Sequence, residues 1–205
     1  MSILKSILLI IFHPIDCMEI IKRENKFNVL KLILFWGLAI VSSVIYEYTV
    51  HFPLATKSSD TINILLEAAI VIIPLFSWVL CSYAVTALMD GESTFITQLH
   101  VSCYCLVPFI LFRIIATIAS QFLSIEEMGL YNVIYLAGLF WCIILLLTSV
   151  KVLNDYSLSK TIGVALISLF AIVVLWAVVL LILSFTIQLL ALISNLFSEI
   201  KFRLV

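Results

Sequence analysis

Long apolar runs separated by short polar breaks dominate the chain. A bilayer's hydrocarbon core is about 30 Å thick and takes about 20 helical residues to cross. Five runs are long enough, at residues 27–48, 63–89, 95–122, 130–150 and about 160–185. Lipid offers no hydrogen-bond partner to a backbone, so runs of this length must be helical. The pattern predicts an all-α, polytopic transmembrane helical bundle with five spans.

Residues 1–26 have a different pattern, in which apolar and charged residues are mixed. The apolar stretch is interrupted at His13-Pro14, and proline favours the first turn of a helix, so a second short helix is expected to begin at Pro14. Its apolar residues include Ile15, Met18, Ile20 and Ile21. We interpret residues 1–26 as a cytoplasmic, interfacial amphipathic segment of two short helices that lie along the membrane surface.

The last apolar run is longer than one span. Between Lys160 and Arg203 there is no proline, and the only glycine, Gly163, is near the start. After the span, a helical extension to about residue 201 is predicted, either protruding from the membrane or folding along its outer surface. Its polar residues Gln188, Asn195 and Glu199 fall on one face at helical spacing. A sixth span that returns to the cytoplasm is the open alternative.

Composition agrees with lipid as the main solvent. The 205 residues are 64% hydrophobic and 11% charged, against roughly 25% charged in soluble domains. No linker is evident, and the spans form one domain, residues 27–205. The net charge of −1 argues against nucleic-acid binding, which needs a basic surface. The five cysteines are odd in number and mostly apolar in context, so they are interpreted as packing residues.

Basic residues predict the orientation. With five spans, seven basic residues fall on the N-terminal side and three, Lys57, Lys201 and Arg203, on the other. Basic residues concentrate in cytoplasmic loops, so the N-terminus is expected in the cytoplasm and the C-terminus outside a cell (inner or plasma) membrane. Four of them are predicted to form a lipid-facing basic cluster: Lys22, Arg23, Lys26 and Lys31.

Polar residues inside the spans are the candidate functional residues, because charges there are costly and usually face the bundle interior. Glu47, Glu67 and Arg113 are predicted to form an outer polar cluster, either as a structural ion pair or along an ion or substrate path. Gln98 and His100 form a candidate inner polar site, where the histidine either bonds a neighbouring helix or relays protons. No catalytic, metal or cofactor motif is recognised, so no enzyme activity and no cofactor are expected.

Several segments resemble, in order, bacterial members of the Yip family, five-span proteins whose eukaryotic relatives were named as interactors of Ypt/Rab GTPases. The similar segments are Phe12-His13-Pro14-Ile15-Asp16, Ile20-Ile21-Lys22-Arg23-Glu24-Asn25, Asp90-Gly91-Glu92-Ser93-Thr94-Phe95, Tyr104-Cys105-Leu106-Val107-Pro108, Asp155-Tyr156-Ser157-Leu158-Ser159-Lys160 and Glu199-Ile200-Lys201. The resemblance implies a cytoplasmic N-terminus and no catalysis. GTPase binding is not carried over, because the long N-terminal cytoplasmic domain of the eukaryotic relatives is absent.

Two functional hypotheses from different classes follow. The first is a non-enzymatic protein that binds partners or organises membranes, with membrane lipids and other membrane proteins, or itself, as partners. The alternative is a transport protein or an accessory subunit of a transporter. A water-filled polar path through the bundle would favour transport, and a dry, packed interior would favour the organising role.

Overall fold

Helices make up nearly all of the computed structural model, which describes residues 3–24, 29–49 and 63–203. Within these ranges seven helices follow one another: α1 (Ile3–Phe12), α2 (Pro14–Glu24), α3 (Val29–Thr49), α4 (Ile64–Leu88), α5 (Phe95–Ala119), α6 (Met128–Leu153) and α7 (Leu158–Arg203). A 3₁₀ turn, Ile125–Glu127, leads into α6.

Five of these helices, α3 to α7, are long and apolar enough to cross a membrane. The predicted fold class is therefore confirmed. The third span was predicted to reach Phe122, whereas α5 ends at Ala119. There the chain turns back on itself, with the Ser120 amide donating to the Ala116 carbonyl at 2.9 Å and the Phe122 amide to Ala119 at 3.0 Å.

Helix α5 lies at the centre of the bundle, and its residues 101–108 are all buried. Tyr104 packs against Phe35 of α3 with ring centroids 5.0 Å apart and the rings tilted by 53°, and Val101 and Cys105 share a core with Leu145 of α6. Helices α5 and α6 approach closely at Gly138, where an added Cβ would lie 2.4 Å from the Cβ of Phe112. A small residue at this position lets the two backbones meet.

The two N-terminal helices pack against the bundle. Ile10, Cys17 and Met18 have no exposed surface and join the core formed by α5 and α6. Met18 and Ile21, which the amphipathic pattern assigned to the membrane surface, therefore contact protein. The side that faces outward carries Phe12, 71% exposed, and Ile15, 48% exposed.

Helix α7 leaves the bundle after its first turns. Val164, Ala165 and Ser168 are buried against the other helices, whereas every side chain from 180 to 195 is exposed. The helix is continuous to Arg203. A sixth span would need a hairpin within this stretch, and the helix has none.

Candidate functional site

Two turns at one end of the bundle meet to form a polar junction. We use this name for the turn between α4 and α5, residues 89–94, the turn between α6 and α7, residues 154–157, and the side chains that bond to them from the adjoining helices. Both turns end their helices in the same way. Asp90 has φ 56° and Asp155 has φ 52°, the left-handed conformation common just after a helix.

The same backbone hydrogen bond closes each turn. The Gly91 amide donates to the Thr86 carbonyl at 2.8 Å, and the Tyr156 amide donates to the Lys151 carbonyl at 3.1 Å. Each bond joins residues five apart and satisfies a carbonyl that the helix end leaves open, as in a Schellman motif. An added Cβ at Gly91 would lie 2.6 Å from Asn154 Oδ1 and 2.8 Å from the Thr86 carbonyl oxygen. The contact between the turns therefore requires glycine at 91.

Side chains bond the two turns to each other. Asn154 Oδ1 accepts from the Ser93 amide at 3.1 Å and from the Ser93 hydroxyl at 2.8 Å, while Asn154 Nδ2 donates to the Val150 carbonyl at 2.9 Å. The Tyr156 hydroxyl donates to the Met89 carbonyl at 2.8 Å. Burial, together with the nearby Asp90 carboxylate, raises the pKa of Tyr156. The phenol therefore stays protonated and can donate this bond at physiological pH.

Gln98 connects the junction to the interior. Its Nε2 donates to Ser93 Oγ at 2.7 Å and to Thr86 Oγ1 at 3.0 Å, and its Oε1 accepts from Ser82 Oγ at 3.1 Å. His100 is two residues further along α5, which places it on nearly the opposite side of the helix, and its ring is edge-on to Tyr104 at 5.4 Å. A joint role for Gln98 and His100 stays a prediction.

Lys22 of α2 contacts both turns of the polar junction. Its ammonium group pairs with Asp155, lies 3.8 Å from Glu92, and is 3.4 Å from the Val152 carbonyl oxygen. Of the other members of the predicted basic cluster, Arg23 contacts Glu19 at 3.7 Å and is largely exposed, Lys31 lies in the first turn of α3, and Lys26 lies outside the described residues. Contact of this cluster with lipid stays a prediction.

Arg113 lies toward the opposite end of the bundle and is 5% exposed. Its Nη1 donates to the Ser43 hydroxyl of α3. The guanidinium carbon lies 4.6 Å from the centroid of Tyr46, 4.9 Å from that of Phe109 and 5.6 Å from that of Tyr135. Aromatic faces attract cations, and more strongly where water is excluded. Arg113 thus joins α5 to α3 and α6.

The two acidic residues of the predicted outer cluster lie near the same end. Glu67 is 2% exposed, within the first turn of α4. Glu47 is half-buried on α3, next to Tyr46, whose hydroxyl bonds that of Tyr131. Pairing of Glu67 with Arg113 stays a prediction. The neighbours of Arg113 were not predicted from the sequence: Ser43 and the rings of Tyr46, Phe109 and Tyr135.

Contact between the two turns was not predicted, because their residues were interpreted as breaks between spans and as segments similar to those of the Yip family. The signal available was that Asp90-Gly91-Glu92-Ser93 and Asn154-Asp155-Tyr156-Ser157 fall at the same end of an alternating bundle. Chemically the junction is a network of hydroxyl, amide and carbonyl groups that fixes geometry. Within the three described ranges, no three His, Cys, Asp or Glu side chains are grouped so that they could hold a metal ion.

Five apolar helices, with α5 buried at their centre, define a multi-pass helical membrane protein. The Yip1 domain matches residues 8–181. The match covers most of the chain, so the chain belongs to the Yip family. The polar junction and Arg113 lie inside the matched region, and the part of α7 after residue 181 lies beyond it. Neither the curated proteins nor the solved structures give a match.

Proposed function

We propose that this protein acts without catalysis, as a membrane-organising protein that associates with a second copy of itself. The contact is made by the far half of α7, the part from residue 180 onward, in which every described side chain is exposed. The observation that carries the proposal is the length of this helix. Its 46 residues extend about 69 Å at 1.5 Å per residue. Within Leu158–Asn195, an 18-residue window has a mean hydropathy of 3.2, and only 6% of that window is buried.

The stretch Leu158–Asn195 is too long to lie wholly within the hydrocarbon core, even when the helix is tilted. Its 38 residues extend about 57 Å, whereas a helix tilted by about 40° crosses a core of about 30 Å in roughly 39 Å. Leu189, Leu190 and Leu192 lie in the excess and are 43%, 62% and 58% exposed. Apolar surface outside the hydrocarbon needs another apolar surface to cover it.

Two amide side chains favour a second copy as that surface. Gln188 and Asn195 are exposed on α7 and are seven residues apart, on one face of an otherwise apolar stretch. A parallel second helix would bring each amide next to its own counterpart, where the two can exchange hydrogen bonds. The buried interior at residues 101–108 of α5 supports the organising role over transport.

Disulfide cross-linking tests the proposal. Leu192→Cys lies between the two amides on their face of α7, and Leu190→Cys, two residues away, lies on the opposite face and is equally exposed. All five native cysteines are buried, so background should be low. We expect oxidation in membranes to give a covalent dimer from Leu192→Cys and little from Leu190→Cys, and Gln188→Leu/Asn195→Leu to abolish it. Equal cross-linking at both positions, none at either, or cross-linking to a different protein would overturn the self-association.

The location and orientation are part of the same proposal. We infer a cell membrane with the polar junction and the N-terminus on the cytoplasmic side and the C-terminus outside. The basic residues that flank the junction end, among them Lys22, Lys151 and Lys160, support this orientation. The Phe12–Asp16 opening supports membership of the bacterial branch of the family.

A further inference from the structure

A long apolar groove runs along one side of the bundle. Two adjoining cavities, of about 720 Å³ and about 520 Å³, lie between α4, α6 and α7, and residues of α2 and α5 also line them. They share four lining residues and therefore form one groove: Trp78, Ile143, Leu146 and Leu169. On α6 the lining reaches from Tyr135 to Lys151, a distance of about 24 Å at 1.5 Å per residue. The groove has the length and apolar character that an acyl chain requires.

A buried cation lies at one end of this groove. Arg113 lines the cavity together with Tyr135 and Phe109 and is 5% exposed. Among the residues that the structure describes, its Nε has no hydrogen-bond partner. A buried N–H without a partner is costly, and more so on a charged group. The chemistry that satisfies a guanidinium best is a planar or tetrahedral oxyanion that accepts two parallel hydrogen bonds.

A phosphate on an acyl-chain lipid meets both requirements. Arg113 is six residues from the end of α5, which puts it about 9 Å inside the helix end, a depth that a headgroup can reach from the interface. From there the apolar lining continues toward Leu169 and Leu146. At the far end Lys151 is a second, less buried cation that could hold the headgroup only if the lipid were inverted.

We propose that this groove is a binding site for one anionic phospholipid, with its phosphate on Arg113 and one acyl chain along α6 and α7. The lipid would complete the hydrogen bonding of Arg113 Nε and cover the apolar walls. The inference does not depend on self-association, because the groove uses the bundle half of α7 and the proposed dimer uses the other half.

Native mass spectrometry of the full chain in mild detergent, titrated with phosphatidylglycerol or phosphatidylcholine, tests the site. Leu169 lines both cavities, so Leu169→Trp should fill the groove without touching Arg113. Phe170→Trp is the matched control, because Phe170 is the next residue, is 69% exposed and lines neither cavity. Arg113→Gln removes the charge, and Lys151→Gln removes the cation at the other end.

We expect the native chain and Phe170→Trp to retain one phosphatidylglycerol and to gain thermal stability from it. Retention should fall about tenfold or more in Leu169→Trp and in Arg113→Gln, since charge-assisted hydrogen bonds to phosphate are lost in the latter. Unchanged retention in Leu169→Trp would overturn the site, and this variant decides the question even if Arg113→Gln does not fold. Equal retention of phosphatidylcholine would overturn the preference for an anionic lipid, and a loss only in Lys151→Gln would overturn the assignment of the headgroup to Arg113.

Discussion

At the scale of single residues, Gly91 determines whether the two turns can meet. We predict that Gly91→Ala destabilises the protein, because the new methyl group would overlap the Asn154 side chain and the Thr86 carbonyl. Overpacking of this kind costs about 1–3 kcal/mol. The expected result is a lower melting temperature in detergent, with cross-linking at position 192 unchanged.

Gly37→Ala provides the control, since a Cβ added at Gly37 meets nothing within 4 Å. Alanine is favoured over glycine in a helix by about 1 kcal/mol, so this variant should melt at the same or a higher temperature. Equal destabilisation by the two substitutions would contradict the close contact at the junction.

A second residue-scale prediction concerns the buried charges Glu67 and Arg113. If they interact, removing one leaves the other uncompensated, at a cost of about 3–5 kcal/mol. Thermal stability in detergent should then fall more in Glu67→Gln and in Arg113→Gln than in the double variant. Strict additivity of the two single effects would show that the residues do not interact. The measurement is made at fixed lipid content, so that a lipid on Arg113 does not change between samples.

Arg113 shows how far single residues can be predicted from a sequence. A lone cation in an apolar run is costly wherever it points, so its burial inside the bundle was foreseeable. Its aromatic neighbours, Tyr46 and Tyr135, come from two other helices, and a sequence does not give the rotation of one helix against another. Asn154 was missed for the same reason, because its partner Ser93 is 61 positions away.

At the scale of helices, α2 is held to the junction by Lys22. Lys22→Met and Asp155→Asn should each lower stability slightly, and the double variant should lose less than the sum. The coupling should be about 0.2–1 kcal/mol, as for other exposed pairs, since the Asp155 side chain is 70% exposed. It should shrink as ionic strength rises. Arg23→Met, at the exposed pair with Glu19, should have little effect, and a coupling that is insensitive to salt would argue against the ion pair.

The packing of α2 makes a further prediction about thiol reactivity. Burial raises the pKa of Cys17 to about 11, with Lys31 opposing the effect. The thiolate is the reactive form, so near pH 8 Cys17 should resist alkylation until the protein unfolds, and its reactivity should rise only as pH approaches that value. Phe12→Cys, at a position 71% exposed, should react with a membrane-permeant maleimide in the folded protein. Rapid labelling of Cys17 would contradict the packing of α2 against α5 and α6.

Helix α2 also shows which property of a helix could not be predicted from the sequence, namely the surface against which it packs. Its existence and its start at Pro14 follow from the sequence, and the structure has both. An amphipathic pattern indicates that one side of the helix is buried away from water. Either lipid or protein can cover that side. The choice between them depends on the complementary surface around Leu153 and Val101, which no local pattern contains.

At the scale of the whole molecule, the bundle has two chemically different ends. The junction end joins α2 and two turns through hydrogen bonds and ion pairs. The opposite end holds the Tyr46–Tyr131 contact and the buried Arg113. The number of spans was predictable, because each span is one continuous apolar run in the sequence. Which face of each helix meets its neighbour was not, because the spans are apolar nearly all round.

The orientation of these two ends gives the last prediction. Ser159 lies at the junction end and Ser124 at the opposite end, and both are exposed, so Ser159→Cys and Ser124→Cys form a matched pair of small changes. The basic residues at the junction end predict that this end is cytoplasmic. A membrane-impermeant maleimide should therefore label Ser124→Cys in intact cells and label Ser159→Cys only after permeabilisation, while the buried native cysteines stay unlabelled. A reporter at the C-terminus, and one after Ser59, should read outside. The reverse labelling would show that the protein has the opposite orientation in the membrane. A cytoplasmic C-terminal reporter, with Ser124→Cys still labelled, would mean that α7 bends back through the membrane.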